Sequence, residues 1–167
     1  AIASKKRERG VKLDMELSAD DLAEIDAAVA DHFASGRQMG DISPATFRLP
    51  TLSKKLAGLL DTVLHGCGFT VLRGFQVQGR SVAECAVAYL GIGAHLGSFR
   101  SQNAKGHLLG HVCDLGLDIS NPKARYYQTN RELEYHTDSC DIVGLLCLKT
   151  SKSGGESRLV SSVTLHN

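Results

Sequence analysis

The sequence predicts an α+β protein in which helices come first and strands follow, a helical layer set against a sheet or barrel. Apolar residues recur at helical spacing up to His65, between recognisable start and stop signals. After Gly68 the period shortens to β-rich runs set between glycines, and beyond Arg125 only strand and turn patterns remain. The chain has 167 residues, of which 43% are hydrophobic and 22% charged, enough for one domain with a continuous core. It contains no internal repeat and no low-complexity segment.

Residues 1–17 read as a basic arm or a first edge strand, and residues 18–167 as the domain itself. Ser18 can cap a helix whose first turn carries Asp20 and Asp21, where acidic groups favour the positive end of the helix dipole. Leu22, Ile25, Val29 and Phe33 form its apolar stripe, and Gly36 supplies the stop. Gly36, Gly40 and Pro44 then break the chain into a loop before Pro50. A second helix over residues 51–65 places Leu52, Leu56, Leu59, Leu60 and Val63 on one side. Residues 69–72 predict a buried strand between Gly68 and Gly74. Ser81 and Glu84 fit a capping box, each side chain bonding the other residue's free backbone N–H. The helix they open runs to about Leu96, weakened by Gly91 and Gly93. Strands are expected at residues 107–113, 132–136, 142–148 and 157–163, with a turn at residues 151–155.

Charge and composition exclude several functions. Lys and Arg total 19 against 18 Asp and Glu, so no surplus of positive charge is available to hold a nucleic-acid backbone. Trp is absent and aromatic residues are few, which argues against a base-stacking platform. The longest apolar run, residues 142–148, is far short of the roughly 20 residues that cross a bilayer. Five cysteines, odd in number and without a C-x-x-C pair, read as reduced thiols and suggest a cytoplasmic protein. The basic start lacks the apolar stretch of a secretory signal. The first residue is not Met, so the chain reads as processed or cut from something longer.

The chemistry concentrates in Glu134-Tyr135-His136-Thr137-Asp138. On an extended strand residues two apart project to one face, so His136 and Asp138 would aim an imidazole and a carboxylate at one point. That is two-thirds of the two-His, one-carboxylate triad that holds Fe(II) with three positions open. Taken alone, the tripeptide fits a surface histidine beside an aspartate better than a metal site. Downstream, Ser153-Gly154-Gly155-Glu156-Ser157 permits a tight turn that returns the Ser157 hydroxyl toward the first strand, where it could bind a 2-oxo acid. The plain alternative is a hairpin with a solvated serine. His107, His111 and Cys113 share a strand face and permit zinc, but no fourth ligand stands at familiar spacing. No G-x-S-x-G, phosphate-binding loop or G-x-G-x-x-G is present.

Taken together, residues 127–141, the run Gly68-Phe69-Thr70-Val71-Leu72-Arg73-Gly74-Phe75 and the Gly-Gly-Glu-Ser turn resemble the taurine dioxygenase-like (TauD/TfdA) family of Fe(II)- and 2-oxoglutarate-dependent dioxygenases. The resemblance covers residues 51–167. It implies a double-stranded β-helix (jelly roll), incomplete in this chain, with N-terminal helices packed on it. It implies His136 and Asp138 as catalytic iron ligands and Ser157, in place of the family's Thr, as a contact to 2-oxoglutarate. Asn103, Gln128 and Asn130 are then polar liners of the substrate site. The distal His ligand and the Arg that pairs with the cosubstrate lie further along in the family. His166 is too close to Asp138 to match the distal ligand.

The implied reaction is hydroxylation of a small, anionic substrate by O2, with release of succinate and CO2. Neither nucleic acid nor membrane is expected as a partner, and homo-oligomerisation stays open. Two rival readings remain: a catalytically incompetent fragment or pseudoenzyme, and a small cupin-like metal-binding protein in which His166 completes the triad.

Overall fold

The computed structural model describes residues 14–117, 120, 126–129, 131–162 and 166. Most of the basic arm, residues 1–13, lies outside them. The chain forms two compact units, Ala1–Ser98 with Glu156–Asn167, and Phe99–Gly155.

The first unit holds the helices. Strand β1 (Asp14–Glu16) leads into helix α1 (Ala19–Ala34). Ser18 caps α1 as expected, its hydroxyl accepting from the Asp21 N–H while the Asp21 carboxylate accepts from the Ser18 N–H at 2.9 Å. Ile25 and Val29 are buried as the stripe predicts, but Phe33 is 49% exposed and its neighbour His32 is buried instead. The covered face is therefore rotated by one residue at the end of the helix. Gly36, at φ +68°, ends the segment in a conformation that a side chain would strain.

The predicted loop after Gly36 contributes more to the core than its glycines and proline suggest. Ile42, Phe47 and Leu49 are all buried. Helix α2 (Leu52–His65) buries Leu52 and Leu56, while Leu59, Leu60 and Val63 are only half covered. Its start takes no hydrogen bond from the Thr51 side chain. The Glu24 carboxylate of α1 accepts instead from the Thr51 and Leu52 N–H groups at 3.0 and 3.1 Å, a cap delivered from 27 residues away.

Strand β2 (Val71–Arg73) overlaps the expected strand, starting two residues later and ending one later, with Val71 and Arg73 exposed and Leu72 half-buried rather than the whole strand buried. It pairs in parallel with β1, with Met15 opposite Leu72, and Arg73 reaches Asp14 at 2.9 Å. Two strands give a ribbon with little face to cover. Helix α3 (Val82–Ala94) opens with the expected Ser81–Glu84 capping box. Gly91 does not weaken it without return. The Phe47 ring lies against the Gly91 backbone so closely that a Cβ there would overlap it, and His95 Nε2 stands 2.9 Å from the Phe47 carbonyl.

The second unit differs from expectation. Its one helical element among the described residues is a short 3-10 turn, Tyr126–Gln128. Backbone bonds from Cys113 to Tyr127 and from Leu115 to Gln128 tie two segments together. No strand forms among the described residues at 107–113, 132–136, 142–148 or 157–162, and no jelly roll is present there. The physical reason is that a strand, unlike a helix, cannot satisfy its own backbone and forms only against a partner. The expected turn does form: Gly154 and Gly155 both have positive φ, and the Ser151 hydroxyl donates to the Gly154 carbonyl at 2.5 Å. The α+β class thus holds through the helices and the β1–β2 pair.

Candidate metal centre

Residues 131–141 are exposed and irregular, so His136 and Asp138 do not owe their placement to a β-ladder. They nevertheless face each other, with Nε2 of His136 4.0 Å from Oδ1 of Asp138. Both side chains are about half exposed, at 50% and 53%, so water and small molecules reach them. The other ring nitrogen, Nδ1, lies 2.8 Å from the backbone carbonyl of Glu134. A carbonyl can only accept, so Nδ1 carries the hydrogen and donates it. In the neutral ring, Nε2 then holds the lone pair, directed at the side where the Asp138 carboxylate stands.

This is the second-partner arrangement typical of metal-ligating histidines, one nitrogen fixed by a carbonyl and the other free to coordinate. Neighbouring donors of a facial triad, each about 2.0–2.2 Å from the ion and about 90° apart, would lie about 3 Å from each other. At 4.0 Å the pair stands wider than that, so the two exposed side chains would have to close on a shared ion. The imidazole and carboxylate donors suit a borderline divalent ion such as Fe(II). No group of three or more His, Cys, Asp or Glu gathers among the described residues, so the pair has no third protein donor there. The same holds for His107, His111 and Cys113, which do not converge on a zinc site, and for His166.

The remaining expected site residues are distributed as follows. Asn103 is exposed, and its side chain is committed to its own loop. Oδ1 accepts from the Lys105 and His107 N–H groups at 3.0 and 3.3 Å, and Nδ2 lies 3.0 Å from His107 Nδ1. Gln128 is half-buried in the 3-10 turn, its carbonyl accepting from Leu115. Asn130 lies outside the described residues. Ser157 is exposed and belongs to the first unit. Within the second unit, His136 and Asp138 are brought together. The sequence reading missed the Glu134 carbonyl, which any residue type would supply, and Arg100, whose guanidinium donates to the Ser139 carbonyl at 3.2 Å. Neither leaves a motif.

Comparison with known proteins gives the family. A model of the taurine catabolism dioxygenase TauD, TfdA family matches residues 31–167, and the chain belongs to that family. FR-33289 synthase of Streptomyces rubellomurinus is 35% identical over 146 residues, covering 87% of this chain and 43% of that protein. The taurine hydroxylase-like protein SAT17 of Stachybotrys chartarum is 33% identical over 158 residues, covering 90% of this chain and 41% of that protein. The chain spans about two-fifths of the length of these curated relatives. No helix among the described residues is long and apolar enough to cross a membrane.

Proposed function

We propose that His136 and Asp138 are two of the three protein ligands of Fe(II) in a 2-oxoglutarate-dependent dioxygenase that hydroxylates a small anionic substrate. The observation that carries this is His136 Nε2 facing Asp138 Oδ1 at 4.0 Å, with Nδ1 tied back to the Glu134 carbonyl. Family membership supports the choice of metal and cosubstrate.

Bound Fe(II), with 2-oxoglutarate and O2, supplies the oxidising power that replaces a C–H bond with C–OH and releases succinate and CO2. The chain's own contribution is placement. The Glu134 carbonyl holds the imidazole in the tautomer that presents Nε2, and a proton on Nε2 must leave before the nitrogen coordinates. Asp138 supplies the negative charge that offsets the cation. Ser157 is the proposed hydroxyl contact to 2-oxoglutarate, and Gln128 and Asn130 the proposed substrate liners. Asn103 is a proposed liner too, through the second N–H of its Nδ2, since its Oδ1 is engaged within its own loop. One relative's name includes taurine, a small sulfonate, which supports an anionic substrate.

The third donor and the cosubstrate's Arg are proposed to come from chain beyond residues 18–167, which then form the N-terminal portion of the dioxygenase domain. The chain's two-fifths coverage of its relatives supports this. The absence of a third donor among the described residues favours a second reading, in which the 167 residues alone do not turn over.

The test is anaerobic addition of Fe(II) and 2-oxoglutarate, followed by O2 and a panel of sulfonates and carboxylates. A weak visible charge-transfer band and substrate-dependent succinate are expected from the full-length protein, and neither from His136→Ala. A band that persists unchanged in His136→Ala overturns the assignment. A band without succinate in the 167-residue chain selects the second reading for that chain.

A further inference from the structure

The ligand-bearing segment lacks a β-ladder, so individual bonds must set its shape. One is the Glu134 carbonyl on the His136 ring. The other comes from Arg100, whose Nη1 donates to the Ser139 carbonyl, one residue past Asp138, across 39 positions of sequence. The two bonds bracket residues 134–139 from both ends.

Arg100 is itself well anchored at the backbone. Its carbonyl accepts from Gln102 Nε2 at 3.1 Å, and the Gln102 N–H donates to the His107 carbonyl at 2.7 Å. Ser101 Oγ donates to the Asn103 carbonyl at 2.6 Å, while Asn103 Oδ1 holds the Lys105 and His107 N–H groups. Residues 100–107 therefore form a self-bonded loop with one long cationic side chain extended to the ligand segment.

We infer that Arg100 is a positioning residue for the metal centre: by donating to the Ser139 carbonyl it fixes the backbone that carries Asp138 beside His136. This rests on the iron-ligand reading above. Arg100 touches neither ligand side chain, and its effect passes through the backbone at residues 138–139.

The experiment is titration of the full chain with Co(II), an O2-inert stand-in for Fe(II), read by its visible absorption. Wild type, Arg100→Ala, Arg100→Gln, Arg100→Lys and His136→Ala are compared, with far-ultraviolet circular dichroism and thermal melting of each apo form. Arg100→Ala is expected to weaken Co(II) binding about tenfold, the lower end of what outer partners of metal ligands contribute. Melting should not change, and Arg100→Lys, which keeps a cationic donor, should recover most of the affinity. If Arg100→Ala unfolds, the Gln and Lys variants decide by the same criterion, Gln being weak and Lys close to wild type. Wild-type affinity in both Arg100→Ala and Arg100→Gln, with binding lost in His136→Ala, overturns the role of Arg100 and leaves the ligand pair standing. Binding that ignores His136 overturns both.

Discussion

Residues 14–98 and residues 99–155 draw on the same kinds of amino acid and reach different states. In the first region Ile25, Phe47, Leu49, Leu52, Leu56 and Leu90 are almost wholly buried. In the second, Val112, Leu115, Leu133, Val143 and Leu145 stand exposed, Leu145 at 77%. Hydrophobicity alone does not separate them. The difference lies in where the backbone finds its partners. A helix closes its hydrogen bonds within four residues and can then offer an apolar stripe to its neighbours. A strand must find another strand before it has a face to bury. The first region holds the packed core and the second holds the candidate chemistry, so substitutions should separate stability from metal binding.

The largest separation is expected from His136→Ala. It should abolish Fe(II) binding while shifting the unfolding free energy by no more than about 0.5 kcal/mol, as for other exposed sites. Metal titration beside urea denaturation checks both halves. Phe47→Ala should do the reverse, costing about 3–5 kcal/mol in urea unfolding, since a fully buried aromatic ring is removed. Leu145→Ala in the same 167-residue chain should cost less than about 0.5 kcal/mol, and a core-like cost there would erase the contrast between the regions.

Next in size is the ion pair of Asp21 with Lys55, at 2.7 and 2.9 Å. Burial alone would raise the Asp21 pKa, but hydrogen bonds from Lys55 and Ser18 outweigh it and hold the carboxyl below its ordinary value. A folded pKa below the unfolded one stabilises the protein above the unfolded pKa, and that stabilisation is lost as pH falls through the folded value. Stability should therefore decline from about pH 4 downward. Lys55→Met should cost about 1.5–3 kcal/mol at neutral pH and flatten this acid limb, as seen in denaturation midpoints against pH.

Gly91→Ala should destabilise by about 1–2 kcal/mol, because overlap with the Phe47 ring exceeds the gain in helix propensity. A stabilised variant would mean the contact is looser than it stands. A smaller cost than these, about 1 kcal/mol in thermal unfolding, is expected for Glu24→Ala, which uncaps α2. Burial works against ionisation of Glu24, but hydrogen bonds from the Leu52 and Thr51 backbone outweigh it and hold its carboxyl low. Its contribution should also fade in acid.

What could be read along the chain was what acts over a few residues. Ser18 as a cap and Ser81 with Glu84 as a capping box announced two helix starts, and both formed, with Asp21 closing a box at Ser18 as well. Gly154-Gly155 announced a turn. His136 and Asp138 were chosen for spacing on a strand, yet they meet without one, because the Glu134 carbonyl orients the ring locally. The misreadings all involved distant partners. Gly91 looked like a weak point until Phe47 packed on it, and residues 142–148 looked like a strand although no partner pairs with them among the described residues.

The sequence by itself therefore determined the helices, their caps, the tight turn and the chemical identity of the two candidate donors. Only the tertiary structure decided which residues make the core, what caps α2, and that Arg100 reaches the ligand segment. Caps and turns depend on neighbours within about four residues, which a linear pattern displays. Packing and long-range hydrogen bonds depend on which distant segments share space, and that is settled only when the chain has folded.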